Sequence, residues 1–229
     1  MAKLNELVYD VREAVKQYTD DSELDDRYIK YLYNNKRSKY LRQDLNNYLK
    51  TIDNSIQQTF CVDLEEVSIS ECSVDADCET ILRTKVVLPK PLELHSKTAI
   101  TKVKPATKTA LPFNFVTKEK VVMLEGAPFP NSIYAFLDVD NRIYLYSKSI
   151  DYKLLTCLNI TGVFENPLDL VNFKNCCDCD DTVSTVCYDE NESEYPLQPH
   201  YIDVIRQEII LDLVKFKQLE EDKNNDSND

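Results

Sequence analysis

SIYAFLDVDNRIYLYSK, residues 132–148, reads as two short strands around a turn. Apolar and aromatic side chains fill 133–137 and 143–146, and the polar run DVDNR separates them. Asp140 and Asn141 tolerate the left-handed backbone that a tight hairpin needs, because their short polar side chains bond the local main chain. The stretch predicts an antiparallel hairpin and sets a β-rich region at the centre of a 229-residue chain.

The flanking sequence extends that region. CVDLEEVSIS (61–70) and the segments around TKVVL (84–88) and KVVML (120–124) alternate roughly by two, the period of strands. Pro89, Pro91, Pro105 and Pro112 mark strand ends or edges, since proline cannot donate to a ladder. TCLNITGVFENP (156–167) predicts a further strand that stops at Asn166-Pro167, followed by a short helix in PLDLVNFK (167–174).

Further out the period changes. Leu4, Leu7, Val8, Val11, Val15 and Tyr18 recur at spacings of three and four, one face of an amphipathic helix. TDDSELDD (19–26) interrupts it. Ser22 and Asp25 have the spacing of a capping box and predict a second helix to about residue 49, with Tyr28, Leu32, Leu41, Leu45 and Tyr48 on its buried side. At the other end Pro199 sits as a first-turn proline, and Ile202, Ile205, Ile209, Leu213 and Phe216 supply an apolar stripe. EEDKNNDSND (220–229) has too little apolar surface to fold and predicts a disordered acidic tail.

The predicted fold class is α+β: a helical bundle built from the N-terminal helices and the C-terminal helix, with an inserted antiparallel β-rich region. The expected parts are an N-terminal helical part (1–54), the β-rich insertion (55–165), a C-terminal helical part (166–219) and the tail (220–229).

Composition removes several function classes. Glycine occurs only at Gly126 and Gly162, too few for a dinucleotide fingerprint or a phosphate loop. His95 and His200 are the only histidines, and no HExxH or G-x-S-x-G motif occurs. His200, beside Pro199, reads as a first-turn residue rather than a base. No apolar run is long enough to span a bilayer, and MAKLNELVYD lacks a signal peptide's apolar region. The expectation is a protein made and kept on the cytoplasmic side, without membrane contact. A net charge of -13 and a pI near 4.7 oppose sequence-independent binding to a duplex, because the overall field repels phosphate.

Cys176, Cys177, Cys179 and Cys187 form the cluster most like a metal site. Cys176 and Cys179 have CxxC spacing, but the second pair of a zinc ribbon is missing. Asp178, Asp180 and Asp181 lack the ordered spacing of a calcium loop. With Cys61, Cys72, Cys78 and Cys157 scattered through the strands, the expectation is free thiols in a reducing compartment, several of them buried, and no cofactor.

The second predicted helix carries more information. NNKRSKYLRQ (34–43) holds Lys36, Arg37, Lys39 and Arg42 and no carboxylate. Five tyrosines, from Tyr28 to Tyr48, crowd the same helix in a chain with 14 Tyr and no Trp. Tyr offers a large contact area with a polar handle, which suits interfaces. A basic stripe of this kind would meet either phosphate or an acidic face of a partner or neighbouring copy; with the tyrosines it points toward assembly, and the expected interface residues are Lys36, Arg37, Lys39 and Arg42.

SELDDRYIKYLYNNKRSKYLRQDL, VVLPKPLELH, PFNFVTKEKVV, IYAFLDVDNRIYLYSK and ITGVFENP with YPLQPHYIDVIRQEI resemble the neck proteins of tailed bacteriophages, crAss-like ones especially. The resemblance covers about residues 4–215 and is to ring-forming head-to-tail connector or adaptor proteins. It implies a virion structural protein in the neck or tail, assembled in the host bacterial cytoplasm and not an enzyme. Its expected partners are further copies in a homo-oligomeric ring, the portal and other neck or tail proteins, with DNA passing through the channel without specific binding. Such proteins tend to carry Trp after the proline-rich entry to the last helix. This chain has Gln198-Pro199-His200-Tyr201 there, and Tyr201 is expected to take the packing role. The competing readings are a phage-encoded nucleic-acid-binding or regulatory module using the basic helix, and a zinc-dependent enzyme using the cysteines.

Overall fold

A computed structural model of the chain describes residues 2–18, 24–47, 51–72, 80–95, 98–106, 110–124, 132–148, 150–173 and 188–225. Two helices come first, α1 (Leu4–Lys16) and α2 (Asp26–Leu45). The strands follow as β1 (Gln58–Ser68), β2 (Thr80–Thr84), β3 (Ile100–Pro105) and β4 (Asn114–Phe115). A short helix α3 (Lys118–Leu124) precedes β5 (Tyr134–Leu137), β6 (Ile143–Tyr146) and β7 (Cys157–Gly162). The last helix is α4 (Pro199–Asn225).

Helices α1, α2 and α4 share one core. Leu4, Leu7, Val8, Val11 and Val15 of α1 are all buried, whereas Tyr18 lies past the helix end and is exposed. The side chain of Asp25 caps α2 by accepting from Arg27 N at 2.9 Å. Asp25 is thus the N-cap of α2, while Ser22, the other member of the expected capping box, lies outside the described residues. Its buried row is Ile29, Tyr33, Arg37, Leu41 and Leu45, a repeat of four with an arginine at its centre. Tyr28, expected inside, is exposed, because Tyr33 and Ile29 take the inner positions; Tyr48 lies outside the described residues. From α4, Ile205, Ile209 and Leu213 join the same core and Ile202 packs at its edge. Tyr201 packs against Tyr40 with ring centroids 5.2 Å apart. The α4 backbone stays helical to Asn225, well into the segment expected as a tail; 226–229 and the Phe216 side chain lie outside the described residues.

The strands form a sheet in the order β3-β7-β1-β2-β6-β5-β4. Every pairing is antiparallel except that of β4 with β5. β1 serves both halves: its first part, through Asp63, pairs with β7, and from Leu64 onward it pairs with β2. Phe113 N donates to Val103 O at 2.7 Å, so the approach to β4 meets β3 and the sheet nearly closes into a barrel. One side-chain layer brings together Phe60, Val62, Leu82, Val103, Leu145 and Ile160. The other face of β5 and β6 is also covered: Phe136 and Tyr144 stack at 5.6 Å, and Val121 of α3 packs on them.

The hairpin of β5 and β6 turns with Asn141 at φ 55°, the left-handed conformation expected of that position. KVVML departs from its predicted strand and belongs to α3. A strand would turn Val121 and Met123 to one face, but Val121 is buried and Met123 is exposed, as a helix separates them. Only Thr84 of TKVVL lies in a strand. ITKVKP, not singled out by its sequence, is β3 and ends at Pro105. The segment after Asn166 forms a 3-10 turn, Pro167–Asn172, with Asn166 Oδ1 accepting from Leu168 N at 3.2 Å. Gly162 closes β7 where a Cβ would stand 2.9 Å from Ala99 O, so the β3–β7 approach requires a residue without a side chain.

Candidate interface along the second helix

The inner side of α2 holds the molecule together. Arg37 is wholly buried, and its guanidinium bonds main-chain carbonyls: Nε donates to Pro196 O at 2.8 Å and Nη1 to Phe164 O at 2.8 Å. Its charge also lies 5.9 Å from the Tyr195 ring centroid. Burial pulls its pKa down from the ordinary value, yet a guanidinium starts so high that it stays protonated. Ser38 Oγ donates to Glu165 O at 2.8 Å, and Asn34 Nδ2 donates to Asn166 Oδ1 at 3.0 Å. Tyr195 Oη, itself buried, donates to Asn34 Oδ1 at 2.8 Å. One turn and a half of α2 therefore grips both the exit of β7 and the entry to α4.

A second side of α2 faces α4. Lys36 Nζ lies 3.0 Å from Glu208 and 2.7 Å from Asp212. The hydrogen bond to Asp212 holds the Lys36 ammonium above its ordinary pKa, and the Tyr40 hydroxyl, which donates to Glu208, holds that carboxyl below its own. The acidic face that Lys36 requires is thus supplied by its own chain.

The third side is open. At 100° per residue, Tyr31, Asn35, Ser38 and Arg42 turn away from α4, and they line a groove of about 840 Å³. Its far wall is the 165–168 segment with Glu190. Four basic side chains line it, Arg27, Lys30, Lys39 and Arg42, against the carboxylates of Glu165 and Glu190. Lys30 pairs with Glu190, and Arg42 with Glu165 at 2.8 Å. Arg27 and Lys39 are exposed and hold no ion pair among the described residues; Lys39 Nζ lies 5.7 Å from the Tyr40 ring centroid. Tyr28 and Tyr31 stack at 6.5 Å on the rim and are both about half exposed or more, at 49% and 60%.

The four predicted interface residues therefore part company. Lys39 and Arg42 line the groove, Lys36 faces α4, and Arg37 is an internal tie. Sequence periodicity missed Asn34, Ser38 and Tyr195, whose value lies in bonds to chain segments more than a hundred residues away.

Little else among the described residues suggests chemistry. Among the described residues no group of three or more His, Cys, Asp or Glu could hold a metal ion, and no helix is long and apolar enough to cross a membrane. Cys176, Cys177, Cys179 and Cys187, like Cys78, lie outside the described residues. Cys61 is disulfide-bonded, which departs from the expected free thiol, while Cys157 is a free thiol. Both histidines are exposed: the His95 amide donates to Asn46 Oδ1, and the His200 ring lies 4.1 Å from Tyr201 in the first turn of α4.

Comparison with known proteins gives the context for that surface. The family described as phage tail ring protein 2 matches residues 6–229, nearly the whole chain. No curated protein matches. The chain belongs to this family of crAss-like phage ring proteins, so it is a structural, connector-type component of the phage particle and not an enzyme.

Proposed function

We propose that the chain is the repeating subunit of a homo-oligomeric ring in the phage neck, set between portal and tail, through which the viral DNA passes. The observation that carries this reading is the family match over residues 6–229. The geometry supports it. A charged, Tyr-rimmed groove runs along a helix whose position is fixed by buried bonds to β7 and α4, which is how a repeating contact is kept rigid. Lys39 and Arg42 belong to the subunit contact in this reading, and Lys36 and Arg37 hold the helix that presents them. The net charge of -13 suits a channel component that DNA slides past, since a wall of like charge does not retain phosphate.

Further neck or tail proteins and the portal are the proposed axial neighbours, with assembly in the host bacterial cytoplasm. Mass spectrometry of purified particles tests the reading. The expected result is the chain at a fixed number of copies per particle, co-purifying with the portal after tail detachment. Particles that lack the chain altogether overturn the reading.

A further inference from the structure

The outward side of α1 and α4 complements the α2 groove. Glu6, Asp10 and Glu13 follow one another at spacings of four and three, on the side of α1 opposite its buried row. Asp10 meets Arg206 of α4 at 3.8 Å, and Asp203, exposed, stands one turn earlier on α4. Four carboxylates thus share this side with the cations of Arg206, Lys16 and Lys3, while Arg12, over the Tyr9 ring at 5.5 Å, is paired to Asp26; the groove, by contrast, carries four cations against two carboxylates. Exposed apolar side chains stand on the outward sides of the same helices, Tyr9 at 55% on α1 and Val204 at 42% and Leu211 at 57% on α4. The groove rim offers Tyr28 and Tyr31 in return.

The two faces cannot meet within one chain. Lys36 and Tyr40 turn α2 toward α4, so the groove opens on the far side of the three helices from the acidic face. Different surfaces of one molecule that complement each other make a heterologous contact. Repeated head to tail, such a contact generates a ring when its rotation closes.

We infer that the α2 groove of one copy receives the acidic α1/α4 face of the next copy, with Arg27 and Lys39 meeting Asp10 and Asp203. The contact rests on the ring reading above and specifies its two surfaces. Arg27 and Lys39 are the natural anchors because they are the groove cations without an ion pair among the described residues. Tyr28 and Tyr31 then cover Val204 and Leu211, where exclusion of water strengthens the charge pairing.

Charge exchange tests the pairing in phage that carry the altered chain. The groove double variant Arg27→Glu/Lys39→Glu and the face double variant Asp10→Lys/Asp203→Lys should each lower the copies incorporated per particle by roughly tenfold or more, because like charges then face each other. The two double variants combined should restore incorporation. Unaltered thermal melts of the purified chains show that the variants fold; a face variant that melts early is replaced by Asp203→Lys alone. Normal incorporation of either folded reversal, or no recovery in the combination, overturns the pairing. The ring reading fails on a different result, the absence of the unaltered chain from particles.

Discussion

Arg37 of α2 reaches across the molecule to Phe164, its Nη1 donating to the carbonyl oxygen at 2.8 Å from a site with no solvent exposure. The same guanidinium bonds Pro196 O, so one side chain joins the helix to the end of the barrel and to the start of the last helix. A buried cation is costly unless hydrogen-bonded, and here the Pro196 and Phe164 carbonyls compensate Nε and Nη1, while Nη2 has no partner among the described residues.

Replacing it should be severe. Arg37→Ala leaves the Phe164 and Pro196 carbonyls without their donor and opens a cavity, a loss of about 3 kcal/mol or more. Arg37→Lys should recover little, since a point charge cannot serve two carbonyls at fork geometry. Denaturant unfolding of both variants measures this; a loss under about 1 kcal/mol for Arg37→Ala would contradict the tie.

Gly162→Ala should destabilise the β3–β7 pairing. The new Cβ would stand 2.9 Å from Ala99 O and 3.1 Å from Ile100 Cα, both main-chain atoms that cannot swing away. The expected cost is about 1–3 kcal/mol. Hydrogen exchange should show the loss first at Val163, whose amide donates to Ala99 O.

At the hairpin, Asn141 stands at φ 55°. Asn141→Val places a β-branched residue in left-handed backbone and should cost about 1–2 kcal/mol, whereas Asn141→Gly should be close to neutral. Thermal melts of the two variants separate backbone strain from any loss of side-chain bonding, because Gly removes the side chain without the strain.

Acid should loosen the α2–α4 contact through Glu208. Its pKa is depressed in the folded chain by the Tyr40 hydroxyl and Lys36, below an ordinary value of 4.5. The stabilisation is therefore complete above the unfolded pKa and disappears as pH falls through the lower folded one. The pair is partly exposed, which limits the effect to under about 1 kcal/mol. Melts across the acid range should fall more steeply in the parent chain than in Glu208→Gln, which keeps the other depressed carboxylates; equal slopes would count against the coupling.

The elements that were legible in the sequence are those whose periodicity is set by one dry face. Leu4, Leu7, Val8, Val11 and Val15 predicted α1, and Ile205, Ile209 and Leu213 predicted α4. The DVDNR turn was legible because left-handed backbone selects Asn or Gly. α2 was legible as a helix but not in its orientation, because its buried row passes through Arg37, a residue that hydrophobic patterning assigns to solvent. KVVML misled because a helix of seven residues is too short to display its period, and two valines imitate a strand. The groove depends on how residues 165–168 and Glu190 lie beside α2, a tertiary fact that no local pattern encodes. For the same reason the basic cluster read as one surface, although its four cations point to three environments.

Imaging of purified particles along the tail axis decides whether the chain forms the ring of the neck. The expected image is a closed ring of copies between portal and tail, with the α2 groove of each copy against the α1/α4 face of the next and an open axial channel. A neck reconstructed to side-chain detail that contains no ring of this chain would contradict it.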